Sequence, residues 1–316
     1  MNRISYLGAA TLAIAAGISS IPARAQNARS FVSAQSGVDG NPCTRPSPCR
    51  TFAYAITKTN AGGEINTLDP GGYGSVAINK SISIVSGLGE AGVLVSSGDA
   101  GITISSGASI VNLRGLIIEG ASVGATGILV NGTTTDLTIE NCVIRNLTAD
   151  GIDFEPTVAS ALATLDTFVA NTGSNGIYVA PTGSGAVTAA FARVEVHNTQ
   201  SSGFAIDGSN STGTLQATIT DSVAANNPSG AGFGAYSLSG HAATSLMVTR
   251  SVSANNDQGL FAATNATLWV GQSTVTENAS GWTNGGGGTM QSYGTNQIAG
   301  NGSSQGQLPA VSTGSN

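Results

Sequence analysis

The sequence predicts an all-β chain that folds as a right-handed parallel β-helix, a solenoid with an N-terminal cap. First, a unit of glycine followed by alternating apolar residues recurs every 22 to 29 residues. Second, charged residues make up only 9 % of the chain, yet 40 % is hydrophobic and falls in columns that a disordered chain would not keep. Third, no copy has room for the roughly 10–12 periodic apolar residues of a crossover helix. The repeat glycines are Gly127, Gly151, Gly176, Gly203, Gly232, Gly259 and Gly281.

The residues one and three places after each glycine are mostly apolar, which predicts the inward face of a short strand. Because no helix separates the copies, their strands must pair directly and in parallel, about 4.8 Å apart. Like residues then stack on like residues. The expected continuous apolar column is Ile128, Ile152, Ile177, Phe204, Phe233, Leu260 and Trp282.

An asparagine precedes each glycine from Gly151 onward, and both residue types suit the corners between strands. Both tolerate left-handed backbone, and the asparagine side chain can bond to a neighbouring coil. The repeat resembles the pectin-lyase-like superfamily of secreted right-handed parallel β-helix proteins. A leucine-rich horseshoe is the structural alternative, but its leucine-rich consensus is missing. The asparagines are Asn146, Asn171, Asn198, Asn226, Asn255 and Asn278.

Residues 1–25 have the pattern of a secretory signal peptide. Arg3 gives the positive start, an apolar stretch runs from Ile4 to Ile21, and Ala23 and Ala25 flank a small-x-small cleavage site. A transmembrane anchor is the alternative, but serine, threonine and glycine interrupt the apolar stretch. Cleavage predicts a secreted or periplasmic chain with no membrane span. Loss of the two arginines in this segment would leave 9 basic against 17 acidic residues.

Residues 26–61 are expected to form the cap. The segment from Phe31 to Ile56 resembles the opening of many secreted β-helix proteins, in which a strand, a turn and a short helix cover the first coil. A solenoid needs such a cap because its end exposes both core and unpaired strand edge.

Cys43 and Cys49, six residues apart around two prolines in an exported chain, predict a disulfide. A metal pair is the alternative, but no further ligand lies nearby, and the third cysteine, Cys142, is expected to be a buried thiol.

Residues 62–301 are predicted to form the parallel β-helix, with short glycine-separated strands in the less regular coils before Gly127. Residues 302–316 are rich in glycine, serine, glutamine and asparagine and are expected to be a disordered polar tail.

The sequence excludes several kinds of chemistry. It has no phosphate-binding loop, no Gly-x-Ser-x-Gly elbow and no His-Glu-x-x-His motif. The motifs of polygalacturonase-like and alginate epimerase-like β-helices are also missing. Such an acidic chain argues against nucleic acid as a partner and against uronate polymers unless calcium bridges them. No calcium motif is present, so no cofactor is expected, although calcium stays possible.

Two columns near the asparagines carry charge. Asp166, Arg193, Asp221 and Arg250 alternate in sign five places before successive asparagines, which favours a ladder that fixes coil register over a binding stripe. Three places before each asparagine an apolar residue recurs, except at Glu195. Since burying a lone carboxylate is costly, we expect this coil to slip by one residue, so that Glu195 and His197 face solvent side by side.

The outward column after each glycine offers the first candidate site. Asp153 and Glu155 lie two and four places after Gly151, and Tyr178 is expected beside Asp153 on the next coil. Acids and aromatic rings suit sugar hydroxyls and ring faces, but they also occur together on ordinary solvated surfaces. These three residues are the catalytic candidates, and Glu195 with His197 is the second choice.

The resemblance and the acid-aromatic patch together suggest a carbohydrate-associated protein whose partner is a polysaccharide or a cell-surface glycan. It would cleave its substrate as a lyase or a glycosidase. The alternative is a non-enzymatic adhesion or structural protein that binds a partner through a long flat face. The sequence leaves the enzyme assignment and the oligomeric state open.

Overall fold

The computed structural model describes residues 27–87, 90–304 and 306–311, and in them three parallel sheets wind into a right-handed β-helix. The predicted fold class is therefore confirmed. The signal peptide predicted for residues 1–25 lies outside the described residues. No helix within the described ranges is long and apolar enough to span a membrane.

Each complete coil contributes one strand to each sheet. Sheet 1 has eleven strands: Asn27–Val32, Thr59–Thr67, Ile82–Val85, Ile110–Arg114, Asp136–Glu140, Ser160–Leu165, Val187–Ala192, Thr214–Thr220, Ala243–Thr249, Ala266–Gly271 and Thr289–Ser292. Sheet 2 has nine: Val76–Ile78, Ala100–Ile104, Thr126–Val130, Ile152–Phe154, Ile177–Val179, Phe204–Asp207, Ala231–Tyr236, Gln258–Ala262 and Ser280–Asn284. Sheet 3 has ten: Gly71–Gly72, Ala91–Leu94, Leu116–Glu119, Val143–Leu147, Phe168–Thr172, Glu195–Thr199, Val223–Ala225, Val252–Ala254, Thr274–Thr276 and Gln297–Ile298.

The predicted apolar column runs along the inside of sheet 2. Ile128 pairs with Ile152, Ile152 with Ile177, and the pairing continues through to Trp282. It also extends backwards, because Ile102 pairs with both Val76 and Ile128. Phe191 packs edge-on against Phe204 inside the solenoid. The core is thus a continuous rod of side chains rather than a central cluster.

Two columns of left-handed residues make the corners on either side of sheet 3. Asn146, Asn171, Asn198, Asn226 and Asn255 have φ between 56° and 62°, as predicted for the asparagine column. The alternating charges form the other corner, between sheets 1 and 3, where Arg193 Nε lies 2.6 Å from Asp166 Oδ1 and Arg250 Nε 2.8 Å from Asp221 Oδ1.

The repeat glycines have a different role from the one that the sequence suggests. None of them has a positive φ. A Cβ on Gly151 would lie 2.5 Å from Gly176 O and 2.5 Å from the Val169 side chain. Glycine is required because the coils approach closely at this place, and other residues adopt the left-handed corner conformation.

The last predicted asparagine, Asn278, belongs to a second column inside the solenoid. Asn227 Nδ2 donates to Asn256 Oδ1 at 2.7 Å, Asn256 to Asn278 at 2.9 Å, and Asn278 to Asn301 at 2.9 Å. In this shorter coil the left-handed places fall to Gln272 and Glu277. The predicted assignment of Asn278 to the corner column is therefore wrong by one residue.

The N-terminal segment closes the first coil, as the sequence predicts. Thr51 caps the helix Phe52–Lys58 by accepting a hydrogen bond from Tyr54 N, and Phe52 stacks on Tyr73 with ring centroids 5.0 Å apart. A disulfide joins Cys43 to Cys49, with Cα atoms 4.7 Å apart. Cys142 is a buried free thiol, and burial raises its pKa to about 11.

The described part of the C-terminal segment, 302–304 and 306–311, packs on the last coils instead of forming the disordered tail expected from its composition. Leu308 is buried, and Ser292 N donates to Pro309 O at 2.8 Å. Val311 N in turn donates to Ser292 O. The few apolar residues of this polar segment cover core that would otherwise be exposed at the end of the solenoid.

Candidate functional site

The acid-aromatic patch lies on the outer surface of sheet 2. Ile152 and Phe154 are fully buried, so Asp153 between them points away from the core. Asp153 pairs with Tyr178 on the next strand, and Glu155 follows directly after the Asp153 strand. The predicted alternation of inward and outward residues is correct here, and the fold brings the three candidates together.

Asp153 is the most perturbed carboxyl of this patch. Its Oδ1 atom is buried and has no hydrogen-bond partner. Burial, followed by repulsion from Glu155 and Asp150, raises the pKa of Asp153 to about 7. Asp150 is held in place because Asn175 donates to its Oδ1 from N at 2.8 Å and from Nδ2 at 3.0 Å. Near neutral pH, both the protonated and the ionised forms of Asp153 are therefore populated.

Glu155 is partly buried, and burial together with the charge of Asp150 raises its pKa as well. Two neighbouring carboxyls with raised pKa values resist simultaneous ionisation. Such a pair offers one proton donor and one carboxylate over a range of pH, which is what acid–base chemistry requires.

Tyr178 connects this pair to a third acid. Its hydroxyl donates to Asp207 Oδ2 at 3.3 Å, and Ser209 N fixes the other oxygen of Asp207 at 2.8 Å. Burial, the charge of Asp207 and this hydrogen bond raise the pKa of Tyr178, so the phenol stays protonated. Tyr178 can then act as a hydrogen-bond donor or a ring surface, but not as a base. Sequence reasoning left Asp207 out of the site, although it stands four places after Gly203 in the outward column.

Aromatic rings continue along sheet 2 beyond Tyr178. The Tyr236 ring lies over Gly234, since a Cβ on this glycine would be 2.4 Å from Tyr236 Cε2. The Tyr236 hydroxyl is 2.8 Å from Ser202 Oγ, and its ring centroid is 5.0 Å from that of Phe261. Small residues, Ala205 and Gly234, form the floor beneath the rings.

Glu195 and His197 lie on sheet 3 and form a separate candidate site. Glu195 is exposed, and its Oε2 atom is 3.5 Å from His197 Nε2. The expected slip of this coil is wrong, because Glu195 pairs in register with Phe168 and Val223. In the regular coils this whole column faces outward, even where its members are apolar.

Metal ligands are not gathered anywhere in residues 27–87, 90–304 and 306–311. No three histidine, cysteine, aspartate or glutamate side chains in these ranges lie close enough together to hold a metal ion.

Comparison of the sequence with protein-family models and with curated proteins finds no match. Among solved structures, pectate lyase Pel9A aligns at a TM-score of 0.57 and 15 % identity, over 91 % of this chain and 82 % of that chain. The A-module of mannuronan C-5 epimerase AlgE4 from Azotobacter vinelandii aligns at 0.48 and 16 % identity, over 83 % and 93 %. A rhamnogalacturonan lyase aligns at 0.45 and 15 % identity, over 79 % and 76 %.

The likeness to the pectate lyase shows the fold of the coils. The chain has the pectin-lyase-like parallel β-helix fold, as its repeat predicts.

Proposed function

We propose that this chain is a carbohydrate-active enzyme that hydrolyses a glycosidic bond on the outer face of sheet 2. The observation that carries the proposal is Asp153, a partly buried acid with an unpartnered oxygen beside a second carboxyl and a tyrosine. A fold shared with a pectate lyase supports a glycan substrate by analogy of fold.

In the proposed reaction, Asp153 in its protonated form donates its proton to the glycosidic oxygen as the bond to the anomeric carbon breaks. In the inverting route Glu155, the carboxylate, takes a proton from the water that attacks the anomeric carbon. In the retaining route Glu155 attacks the anomeric carbon as the glycosidic bond breaks, and water deprotonated by Asp153 then displaces Glu155 from that carbon. Side chains two residues apart on a strand have Cα atoms about 6.6 Å apart, so their carboxyl groups can be roughly 5 to 9 Å apart. This interval includes both the retaining and the inverting arrangement.

We also propose that the protein works outside the cytoplasm. The cap disulfide suits an oxidising compartment, and residues 1–25 carry the pattern of a signal peptide.

The test is a panel of polysaccharides and oligosaccharides assayed for new reducing ends and for unsaturated uronate products. On any substrate found, Asp153→Asn and Glu155→Gln should each lower turnover by about a hundredfold or more. Asp136→Asn, an exposed acid on sheet 1, should leave turnover unchanged. Near wild-type turnover in both site variants would contradict the proposal. Specific binding of a glycan without cleavage would favour the adhesion alternative.

A further inference from the structure

We propose that the glycan bound on sheet 2 is uncharged and lies along the solenoid axis, on the aromatic surface formed by Tyr178, Tyr236 and Phe261. This inference rests on the proposed function for the position of the reacting bond. It adds the chemical class of the ligand and the residues that bind it away from that bond.

The rings form one surface because of the coil register. Asp153, Tyr178, Ala205, Gly234 and Phe261 are successive partners across five strands of sheet 2. Four coil steps separate the first residue from the last, a span of about 19 Å. A bond held at Asp153 would therefore leave room for several sugar rings toward Phe261.

The chemistry of this surface suits sugar rings. Tyr178, Tyr236 and Phe261 each keep part of their surface exposed, and Tyr236 and Phe261 contact each other. Aromatic rings offer flat apolar area at a small cost in conformational entropy, and their faces attract the C–H groups of a pyranose. Asp207 and Glu155 beside the rings are acceptors for hydroxyl groups.

The charge of the same surface excludes an acidic glycan. After Arg145 the chain contains only two further cationic side chains of the lysine or arginine type, Arg193 and Arg250. Both are paired with aspartates at the corner between sheets 1 and 3. Sheet 2 carries instead the carboxyl groups of Asp153 and Asp207, and Asp150 and Glu155 flank the Asp153 strand.

Each carboxylate of a uronate chain would meet these acids without a cation to neutralise it. No cluster of three potential ligands in the described ranges could hold a metal ion that bridges the two sets of carboxylates. A neutral glycan meets no such repulsion. The surface therefore disfavours binding of pectate, the polymer in the name of the pectate lyase that shares this fold.

The test uses the full chain carrying Asp153→Asn, so that the ligand is not consumed. Titration calorimetry compares cello-, xylo- and manno-oligosaccharides with oligogalacturonates of equal length. We expect at least one neutral series to bind, with affinity that increases with chain length, and the oligogalacturonates not to bind. In the Asp153→Asn chain, the second substitution Phe261→Ala should weaken binding of the longer neutral ligands about tenfold. The matched control is Phe168→Ala, which removes an exposed ring from sheet 3 and should change nothing.

Tighter binding of oligogalacturonates than of neutral chains would overturn the inference, and so would the failure of every neutral series to bind. Equal affinity in the Phe261→Ala and Phe168→Ala backgrounds would overturn the assignment of the surface. If neutral chains bind as expected but the wild type cleaves none, the hydrolase proposal fails and the binding surface stands. If the wild type cleaves a glycan and Phe261→Ala cleaves every chain length equally well, the surface fails and the hydrolase proposal stands.

Discussion

Replacing Asp153 with asparagine should stabilise the protein above pH 7 and change little near pH 4. In the folded chain the pKa of Asp153 is raised from 3.8 to about 7, first by burial and then by Glu155 and Asp150. Between these two pH values the folded state binds more protons than the unfolded state. The free energy of unfolding therefore falls as the pH rises through this interval, and it stays lower above pH 7. An uncharged asparagine avoids this loss.

The expected size follows from the difference in pKa. A difference of roughly three units corresponds to about 4 kcal/mol. Because the Asp153 side chain remains partly accessible to water, solvent screens the charge, and we expect about 2 kcal/mol. For a chain of this length, that free energy corresponds to an increase of about 4 °C in Tm.

The assay is thermal unfolding of the wild type and Asp153→Asn at pH 4 and pH 8, with the disulfide intact. Asp136→Asn, which also removes one negative charge but from an exposed site on sheet 1, is the control and should shift Tm little at either pH. A destabilised Asp153→Asn protein at pH 8, or an equal shift at both pH values, would refute the reasoning. Asp153 would then be an ordinary solvated carboxylate, and its role as general acid would lose its basis.

Three further predictions concern the scaffold. Ile177→Asp places a charge in the apolar column and should cost several kcal/mol or prevent folding. The control Thr188→Asp, on the outside of sheet 1, should cost less than about 0.5 kcal/mol in urea unfolding. Equal costs would contradict the assignment of Ile177 to the core and of Thr188 to the outer surface. Replacing both disulfide cysteines with serine should lower stability by about 2 kcal/mol, and a nonreducing peptide map that shows free thiols in the native chain would defeat the pairing. Asn256→Ala should cost about 2–3 kcal/mol in urea unfolding, because it leaves the backbone N and the side-chain Nδ2 of Asn227 without their buried acceptor, and a neutral effect would show that water replaces the ladder.

The sequence predicts the sheets well because a solenoid places like residues on like. Once Ile128 is aligned with Ile152 by its glycine, the position of Asp153 beside Tyr178 follows from alternation alone. The same alignment gives the ion-pair ladder at the corner and the inward column up to Trp282.

The errors come from residues whose type does not reveal their environment. Phe168 and Val252 are apolar and yet exposed, so the sequence pattern wrongly predicts that the column containing Glu195 is core. Asn278 was placed at a corner although the doubled asparagines at 226–227 and 255–256 indicate two neighbouring columns, one left-handed and one buried. In the shorter coil that contains Asn278, only the buried column has an asparagine, and Glu277 takes the left-handed place.

The burial of Asp153 was beyond the reach of sequence reasoning for a different reason. Alternation predicts only that this side chain points outward. How far it is covered depends on the side chains around it on the outer surface of sheet 2, whose packing no local pattern encodes. The raised pKa is thus a property of the surface that the stacked coils form together.

The features that stabilise this chain lie away from the outer face of sheet 2. The apolar column and the asparagine ladder run inside the solenoid, and the paired arginines stand at the corner between sheets 1 and 3. Within the described residues, Asp153 carries the one buried carboxylate oxygen that lacks a hydrogen-bond partner, and its ionisation opposes folding. A fold with so regular a register could accept a threonine or an alanine at this place without strain. An acid that lowers stability and has no structural role is typical of a reactive site. The outer face of sheet 2 is therefore the first face to test.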